Sequence, residues 1–167
     1  MEFLVSLFIA FWPFWVGVGV VIAVLLLLRM YPGGKSMPYR ARPALVTKAE
    51  LRFYKSLQRA VQDDWEIFAM VRIADLLRVE DWAKNKRKWV NKILAKHIDF
   101  VLCDPGSLQP VCCIELDDSS HQRKDRIERD QFVDQAFYSA DLPLVRVPVR
   151  GKYLSREIRE LIDDAMG

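Results

Sequence analysis

The chain has 167 residues, with 25 Lys or Arg against 22 Asp or Glu and a net charge of +3 at neutral pH. This length allows one globular domain and an appendage. Only one acid, Glu2, precedes Arg29, so residues 29–167 are mildly basic, with a net charge of about +4. That balance suits nucleic acid or lipid headgroups as partners without distinguishing between them.

The cysteines argue against a disulfide scaffold. Cys103, Cys112 and Cys113 are odd in number, and two of them are adjacent in one predicted strand. This usage is typical of reduced thiols in the core of a cytoplasmic domain. The paired C-x-x-C spacing of a structural zinc site is missing, so we do not expect zinc.

The first predicted element is a membrane-spanning helix. Residues 3–28 form an uncharged run of 26 positions, and at about 1.5 Å per residue such a helix exceeds the roughly 30 Å hydrocarbon core. No Lys or Arg precedes Arg29, so the basic n-region of a cleaved signal peptide is missing, and we predict an uncleaved anchor over residues 1–29. Gly19 and Ala23 have small-xxx-small spacing, which allows a weak homodimer through the anchor. We favour a monomeric anchor.

The segment after the anchor predicts the orientation of the protein. Residues 29–49 contain five basic residues and no acid. This bias places the C-terminal side in the cytoplasm and predicts a single-pass protein of the inner membrane. Proline and glycine keep residues 30–46 extended as a basic linker.

Alternating helices and strands predict an α/β domain over residues 47–167. Thr47 and Glu50 have the spacing of a capping box at the start of the first helix. Strands are predicted over residues 65–73, 97–103, 110–117 and 142–149, and further helices over 82–96, 121–140 and 155–166. We therefore expect a mixed sheet of four or more strands flanked by helices.

Acidic side chains lie on two neighbouring strands of this sheet. A simple hairpin centred on Ser107 places Asp99 opposite Glu115, with Asp117 on the same face. Directly opposed carboxylates that are half buried repel each other unless a proton or a cation lies between them. We therefore predict a Mg²⁺ (or Mn²⁺) site formed by Asp99, Glu115 and Asp117. Solvent-facing strand ends are the alternative.

The predicted helix over residues 82–96 carries no acid and six basic residues, namely Lys84, Lys86, Arg87, Lys88, Lys92 and Lys96. Four of them recur every four residues and form a stripe that we predict to bind a nucleic-acid backbone: Lys84, Lys88, Lys92 and Lys96. A solvated or membrane-facing helix surface is the alternative. Arg126 is a further candidate, although its spacing to Asp130 favours a local ion pair. We expect Trp82 and Trp89 to lie in the core and not to stack on bases.

Four segments in this order resemble the restriction-endonuclease-like PD-(D/E)XK superfamily: "HIDFVLCD", "PVCCIELDDSSH", "RKDRIERDQFVDQAF" and "LPLVRV". The most similar branch has an E-x-D-x-x-x-H ending and includes very-short-patch-repair endonucleases and several uncharacterised bacterial domains. The resemblance covers residues 47–149. It implies a restriction-endonuclease-like fold and magnesium-dependent hydrolysis of phosphodiester bonds, with DNA favoured over RNA as the partner.

The resemblance also implies roles for single residues. Asp99 matches the first metal-binding acid of the superfamily, and Glu115 matches the second. Glu50 matches an acid that the first helix often contributes, although its place in the capping box is a good rival explanation. Asp117 is a departure, because it occupies the position of a lysine that helps to orient the attacking water.

Candidate substitutes for that lysine lie at the start of the long predicted helix. His121, Gln122 and Lys124 are placed where free backbone N–H groups favour a phosphate, and His121 has the chemistry of a general acid or base. The alternative is that His121 caps the helix or pairs with Asp117. The sequence thus predicts a membrane-anchored, magnesium-dependent nuclease-like domain. A catalytically inactive, membrane-tethered module of the same fold, which binds nucleic acid or a protein partner, is the alternative.

Overall fold

The computed structural model describes residues 5–6, 10–30, 37–117 and 124–167, and in the last range it describes the side chains from Glu128 onward. The chain divides into two compact units, Met1–Ala41 and Arg42–Gly167. The first unit contains helix α1, Trp12–Met30. Its length and composition are sufficient to cross a membrane, as either an anchor or a signal sequence.

The second unit is an α/β domain, as the sequence predicts. In chain order its elements are α2 (Lys48–Val61), β1 (Glu66–Arg72), α3 (Ile73–Leu76), α4 (Lys86–Leu94), β2 (His97–Cys103), β3 (Pro110–Asp117), α5 (Lys124–Ser139), β4 (Leu144–Pro148) and α6 (Ser155–Met166). The bounds predicted for β2 and β3 are confirmed.

The four strands form one mixed sheet in the order β1-β2-β3-β4. The pairs β1–β2 and β2–β3 are antiparallel, whereas β3 and β4 are parallel. A parallel pair needs a long crossover connection between its strands. Helix α5 lies in that connection, which brings its side chains close to β4.

Both faces of the sheet are covered by apolar side chains. On one face α2 and α6 contribute Phe53, Leu57 and Ile162 to a cluster that includes Phe100 and Ile114 of the sheet. The other face carries a second cluster to which α3, α4 and α5 contribute, and its buried members are Ile73, Ile93, Ile98, Val101, Cys103, Cys113, Val133 and Phe137. This two-sided burial explains why β2 and β3 read as nearly continuous apolar runs.

Helix α4 is shorter than predicted. Asn85, directly before it, has φ 59° and ψ 42° and is left-handed, so residues 82–85 cannot continue the helix toward the N-terminus. The prediction that both tryptophans lie in the core was wrong, because Trp82 is 84% exposed and Trp89 is 43% exposed. Ile93 alone anchors α4 in the core.

The capping box predicted at the start of α2 is confirmed. Thr47 Oγ1 accepts a hydrogen bond from the Glu50 backbone N–H at 3.3 Å, and Glu50 Oε2 accepts one from the Thr47 backbone N–H at 2.8 Å. Two backbone donors at the free end of the helix are thereby satisfied.

We predict that Thr47→Ala lowers the free energy of unfolding by about 1 kcal/mol, because the side-chain acceptor at the helix start is lost. Glu50→Gln should be nearly neutral, since glutamine also serves at the third position of a capping box. Urea unfolding of the full chain in detergent, followed by circular dichroism, measures both, with Thr47→Ser as the control. A loss in Glu50→Gln as large as that in Thr47→Ala would contradict the prediction.

Candidate carboxylate and arginine site

Asp99 lies where the pairing of β2 with both neighbouring strands is interrupted. The hairpin register predicted from a turn centred on Ser107 is confirmed from Phe100–Ile114 to Leu102–Cys112, but it shifts by one residue at Cys103–Pro110. The pairing ends at Phe100–Ile114, so the predicted ladder pair Asp99–Glu115 does not form. On the other side, the β1–β2 register skips the pair Met70–Asp99. Met70 has φ 57°, in the left-handed region. A regular strand needs a negative φ, so the strand geometry is interrupted at Met70. The Asp99 backbone is therefore placed in an opening of the sheet.

The Asp99 carboxylate is partly buried and lies among other acids. Its Oδ2 accepts a hydrogen bond of 2.8 Å from the backbone N–H of Leu116 on β3. Burial raises the pKa of Asp99, the charges of Glu50 and Asp117 raise it further, and the Leu116 hydrogen bond and Arg129 oppose the rise. Glu50 thus contributes both to the helix cap and to the electrostatic environment of Asp99.

Glu115 on β3 is the more enclosed of the two predicted metal ligands, with a side chain that is only 13% exposed. Burial is the main reason that its pKa is raised, and the charge of Asp99 adds to the rise. The guanidinium of Arg146 opposes it. The structure therefore brings Asp99 and Glu115 close enough for their charges to interact.

Arg146 on β4 is the cation of this site. It is the register partner of Glu115 in the parallel β3–β4 pair. Its Nη1 donates to Glu115 Oε2 at 2.9 Å and to Asp117 Oδ1 at 3.0 Å. Its Nε donates to Asp134 Oδ1 at 2.9 Å, which ties β4 to helix α5. Sequence reasoning missed Arg146, although an arginine between two valines in a buried strand was a usable signal.

One nitrogen of Arg146 has no partner in the described part of the chain. Its Nη2 is buried and donates no hydrogen bond to any acceptor there, while the side chain as a whole is 22% exposed. Burial acts to lower the pKa of Arg146, but the hydrogen bond to Asp134 and the charges of Glu115 and Asp117 outweigh it and raise the pKa. The guanidinium is therefore charged and has N–H groups to spare.

The three predicted metal ligands divide between two environments. Asp117 contacts Arg146, while Asp99 contacts the β3 backbone. Among the described side chains, which omit those of residues 118–127, no three His, Cys, Asp or Glu side chains form a group able to hold a metal ion. Mg²⁺ commonly takes only one or two protein carboxylates and completes its shell with water and phosphate, and Asp99 with Glu115 would supply two.

Two cations lie over the ring of Phe132 on α5, and the charge of a third, Arg129, acts on one of them. Lys92 Nζ lies 4.8 Å from the ring centroid and Lys96 Nζ lies 5.4 Å from it. Burial lowers the pKa of Lys96, and the charges of Arg129 and Lys92 lower it further. Within the side chains that the structure describes, none of the three belongs to an ion pair. We call Lys92, Lys96 and Arg129 the cation cluster.

The cation cluster borders the carboxylates. The charge of Arg129 lowers the pKa of both Asp99 and Glu115, against the larger effect of burial. Arg129 is thus attracted by the two acids and repelled by Lys96. Arg129 is therefore the member of the cation cluster whose charge reaches the carboxylate pair.

The rest of the predicted basic stripe is less uniform than its spacing suggested. Lys84 and Lys88 are exposed, but Lys84 precedes α4, and its carbonyl accepts a 3.2 Å hydrogen bond from Trp89 Nε1. Lys86 pairs with Asp81. Only the C-terminal half of the stripe, Lys92 and Lys96, joins the cation cluster.

Four predicted site residues fall outside what the structure describes. His121 and Gln122 lie in the segment 118–123, and the side chains of Lys124 and Arg126 are also outside the described residues. The roles assigned to them stay predictions.

Comparison with known proteins gives one match. The model of a family described as "Protein of unknown function (DUF2726)" matches residues 42–166, which is nearly the whole second unit. No curated protein and no solved structure gives a significant match to the chain.

We predict that Asp99→Asn stabilises the metal-free protein at pH 7.5. The pKa of Asp99 is raised in the folded state. At pH values just above the ordinary aspartate pKa, the folded state therefore binds more protons than the unfolded state. The stability of the wild type accordingly falls as pH rises through that window. Asparagine keeps an acceptor for Leu116 but removes the charge. The gain should therefore shrink on acidification to about pH 4.

Thermal unfolding with EDTA across this pH range measures the effect. Asp104→Asn is the matched control of opposite sign, since hydrogen bonds from Ser107 lower the pKa of Asp104, and its replacement should destabilise the protein at neutral pH. An Asp99→Asn variant less stable than wild type at every pH would contradict the prediction.

Proposed function

The chain belongs to the DUF2726 family, and because that family has no known function, we propose one from the residues of this chain. It is a membrane-anchored domain that hydrolyses phosphodiester bonds of nucleic acid with Mg²⁺ or Mn²⁺. The observation that carries the proposal is the partly buried carboxyl pair Asp99 and Glu115, whose pKa values are both raised, beside the cation cluster. Acids and cations at one place are what a phosphodiester and its metal require together.

The carboxyl pair has the chemistry of a Mg²⁺ site. Burial that raises both pKa values means that the ionised pair is destabilised when nothing neutralises it. A divalent cation held by Asp99 and Glu115 removes that destabilisation. Such an ion would polarise a phosphate oxygen and lower the pKa of bound water.

The residues of this chain supply the rest of the site. The cation cluster binds the sugar–phosphate backbone and guides it toward the acids. Glu50 adds a third carboxylate to the surroundings of Asp99. DNA is the favoured partner, in line with the resemblance to the restriction-endonuclease-like PD-(D/E)XK superfamily and its very-short-patch-repair branch.

The site of action follows from the N-terminal unit. Helix α1 serves in this proposal as an uncleaved anchor in the inner membrane, and the basic residues that follow it in the sequence favour a cytoplasmic location for the second unit. The anchor would hold nucleic-acid chemistry near the membrane surface.

One observation favours a second candidate function. Arg146 already neutralises Glu115 and Asp117 through two hydrogen bonds, so part of the acid group is satisfied without a metal. With aspartate at position 117 in place of a lysine, this arrangement suits a module that binds nucleic acid or a protein partner and does not cleave.

We predict that Asp99→Asn and Glu115→Gln each lower metal-dependent cleavage about a hundredfold or more, because each removes a charge that stabilises the transition state through the metal. Supercoiled plasmid DNA and a single-stranded RNA, each with Mg²⁺ or Mn²⁺, are the substrates for the full chain in detergent. Glu66→Gln, an exposed acid on β1, is the control and should cleave like wild type.

Glu50→Gln separates the two explanations of Glu50. Loss of cleavage with unchanged stability assigns it to the site, and unchanged cleavage assigns it to the cap alone. A wild-type protein that binds DNA but never cleaves it with either metal would replace the hydrolase by the binding-only module.

We predict that the double variant Lys92→Gln/Arg129→Gln binds a DNA duplex more weakly and with a flatter salt dependence. Each lost phosphate contact should reduce the slope of log affinity against log salt by about 1, so the expected change is about 2. Fluorescence anisotropy in EDTA measures it. Lys55→Gln/Lys152→Gln removes two exposed charges elsewhere and should leave the slope unchanged. Equal slopes in all three proteins would contradict the prediction.

A further inference from the structure

We propose that Arg146 occupies the carboxylate site in the metal-free protein, releases Glu115 when a divalent cation binds, and then contacts a phosphate of the nucleic acid. Arg146 would thus couple metal binding to phosphate binding. This inference rests on the proposed function, because it assigns Glu115 to the cation.

Arg146 and the divalent cation would share one carboxylate, that of Glu115. Glu115 Oε2 accepts the 2.9 Å hydrogen bond from Arg146 Nη1, and the Glu115 side chain is largely enclosed. A divalent cation on this carboxylate competes for its electron pairs and repels the guanidinium. Metal and arginine therefore cannot both hold Glu115 at full strength.

Arg146 does not leave the site when it releases Glu115. Its Nε stays bound to Asp134 at 2.9 Å, and Nη1 keeps the 3.0 Å contact with Asp117. These two carboxylates come from α5 and β3, so they hold the guanidinium from two directions. The movement needed is an exchange of one hydrogen bond, with the side chain still held in place.

The exchange leaves N–H groups ready for an anion. Releasing Glu115 frees one N–H of Nη1 on a side chain that is 22% exposed, and the exchange would open the neighbouring Nη2, which is buried and has no partner among the described residues. A planar guanidinium with adjacent free N–H groups matches the geometry of phosphate oxygens. Arg146 also supplies positive charge beside Asp117, where a lysine is missing.

The coupling has a thermodynamic consequence. If the cation frees Arg146 for phosphate, then nucleic acid must tighten cation binding by the same factor. Direct contact between the cation and a phosphate would give reciprocity as well, so the part of the coupling that is lost when Arg146 is replaced is the part that tests the proposal. The two affinities, measured separately and together, therefore test the proposal without relying on cleavage.

The first measurement is the affinity of the full chain in detergent for Mn²⁺ alone, by electron paramagnetic resonance. Arg146→Met should bind Mn²⁺ about tenfold more tightly than wild type, because the competing charged hydrogen bond is gone. Arg159→Met is the matched control, since Arg159 also bridges two carboxylates, Asp64 at 2.5 Å and Asp163 at 3.0 Å. Its Mn²⁺ affinity should equal that of wild type.

The second measurement is the affinity for a short DNA duplex with and without Ca²⁺, which limits cleavage. Wild type should bind DNA more tightly with Ca²⁺, and Arg146→Lys should lose most of that gain, because lysine lacks the planar fork. Arg146→Lys keeps the positive charge among three acids and carries the test if Arg146→Met fails to fold, as judged by circular dichroism. Asp134→Asn should weaken the gain partially.

Both results are required. Mn²⁺ affinity in Arg146→Met no higher than in Arg159→Met, or a full Ca²⁺ effect in Arg146→Lys, overturns the proposal while leaving the hydrolase intact if wild type cleaves. Absence of Mn²⁺ binding in wild type and in every variant overturns the hydrolase as well. Mn²⁺ binding that is seen only in Arg146→Met supports the competition directly.

Discussion

The guanidinium of Arg146 donates hydrogen bonds to three carboxylates, and the local structure depends on these contacts. Glu115 and Asp117 come from β3, Asp134 comes from α5, and Arg146 itself lies on β4. The parallel pairing of β3 and β4 requires a crossover, and the crossover helix supplies Asp134. The same topology therefore creates the acidic group and brings the charge that balances it. Without Arg146, the enclosed carboxylate of Glu115 would lose its charge partner and would lie beside two more exposed acids, Asp117 and Asp134.

A second constraint acts on the backbone around Asp99. A residue such as Met70 in the left-handed region costs roughly 1–2 kcal/mol, and strain of this kind is concentrated at functional sites. The pairing of β2 with β3 is also interrupted beside Asp99. There the Leu116 N–H donates to the Asp99 side chain in place of a main-chain carbonyl of β2. A regular sheet would have enclosed this position in continuous pairing. The opening keeps an acid accessible in a strand that is otherwise buried.

The sequence predicted what depends on local patterns. The bounds of β2 and β3, the register from Phe100–Ile114 to Leu102–Cys112 and the Thr47 cap all follow from alternation, turn residues and one short motif, whereas the register shift at Cys103 does not. The position of Trp82 could not be predicted this way, because it depends on a left-handed Asn85 that interrupts an otherwise good helical pattern. Arg146 depends on the parallel register between strands separated by a helix, and single-sequence patterns do not contain that information. Met70 likewise gives no sign of its backbone conformation in its neighbours.

The three cysteines have a practical consequence for study of this protein. All are buried, and burial raises the pKa of the Cys112 thiol to about 12 and also raises those of Cys103 and Cys113. The thiolate is the reactive form, so in the folded domain these side chains react slowly with alkylating reagents. A single cysteine introduced on the surface would therefore accept a spectroscopic label selectively, with no need to remove the native three.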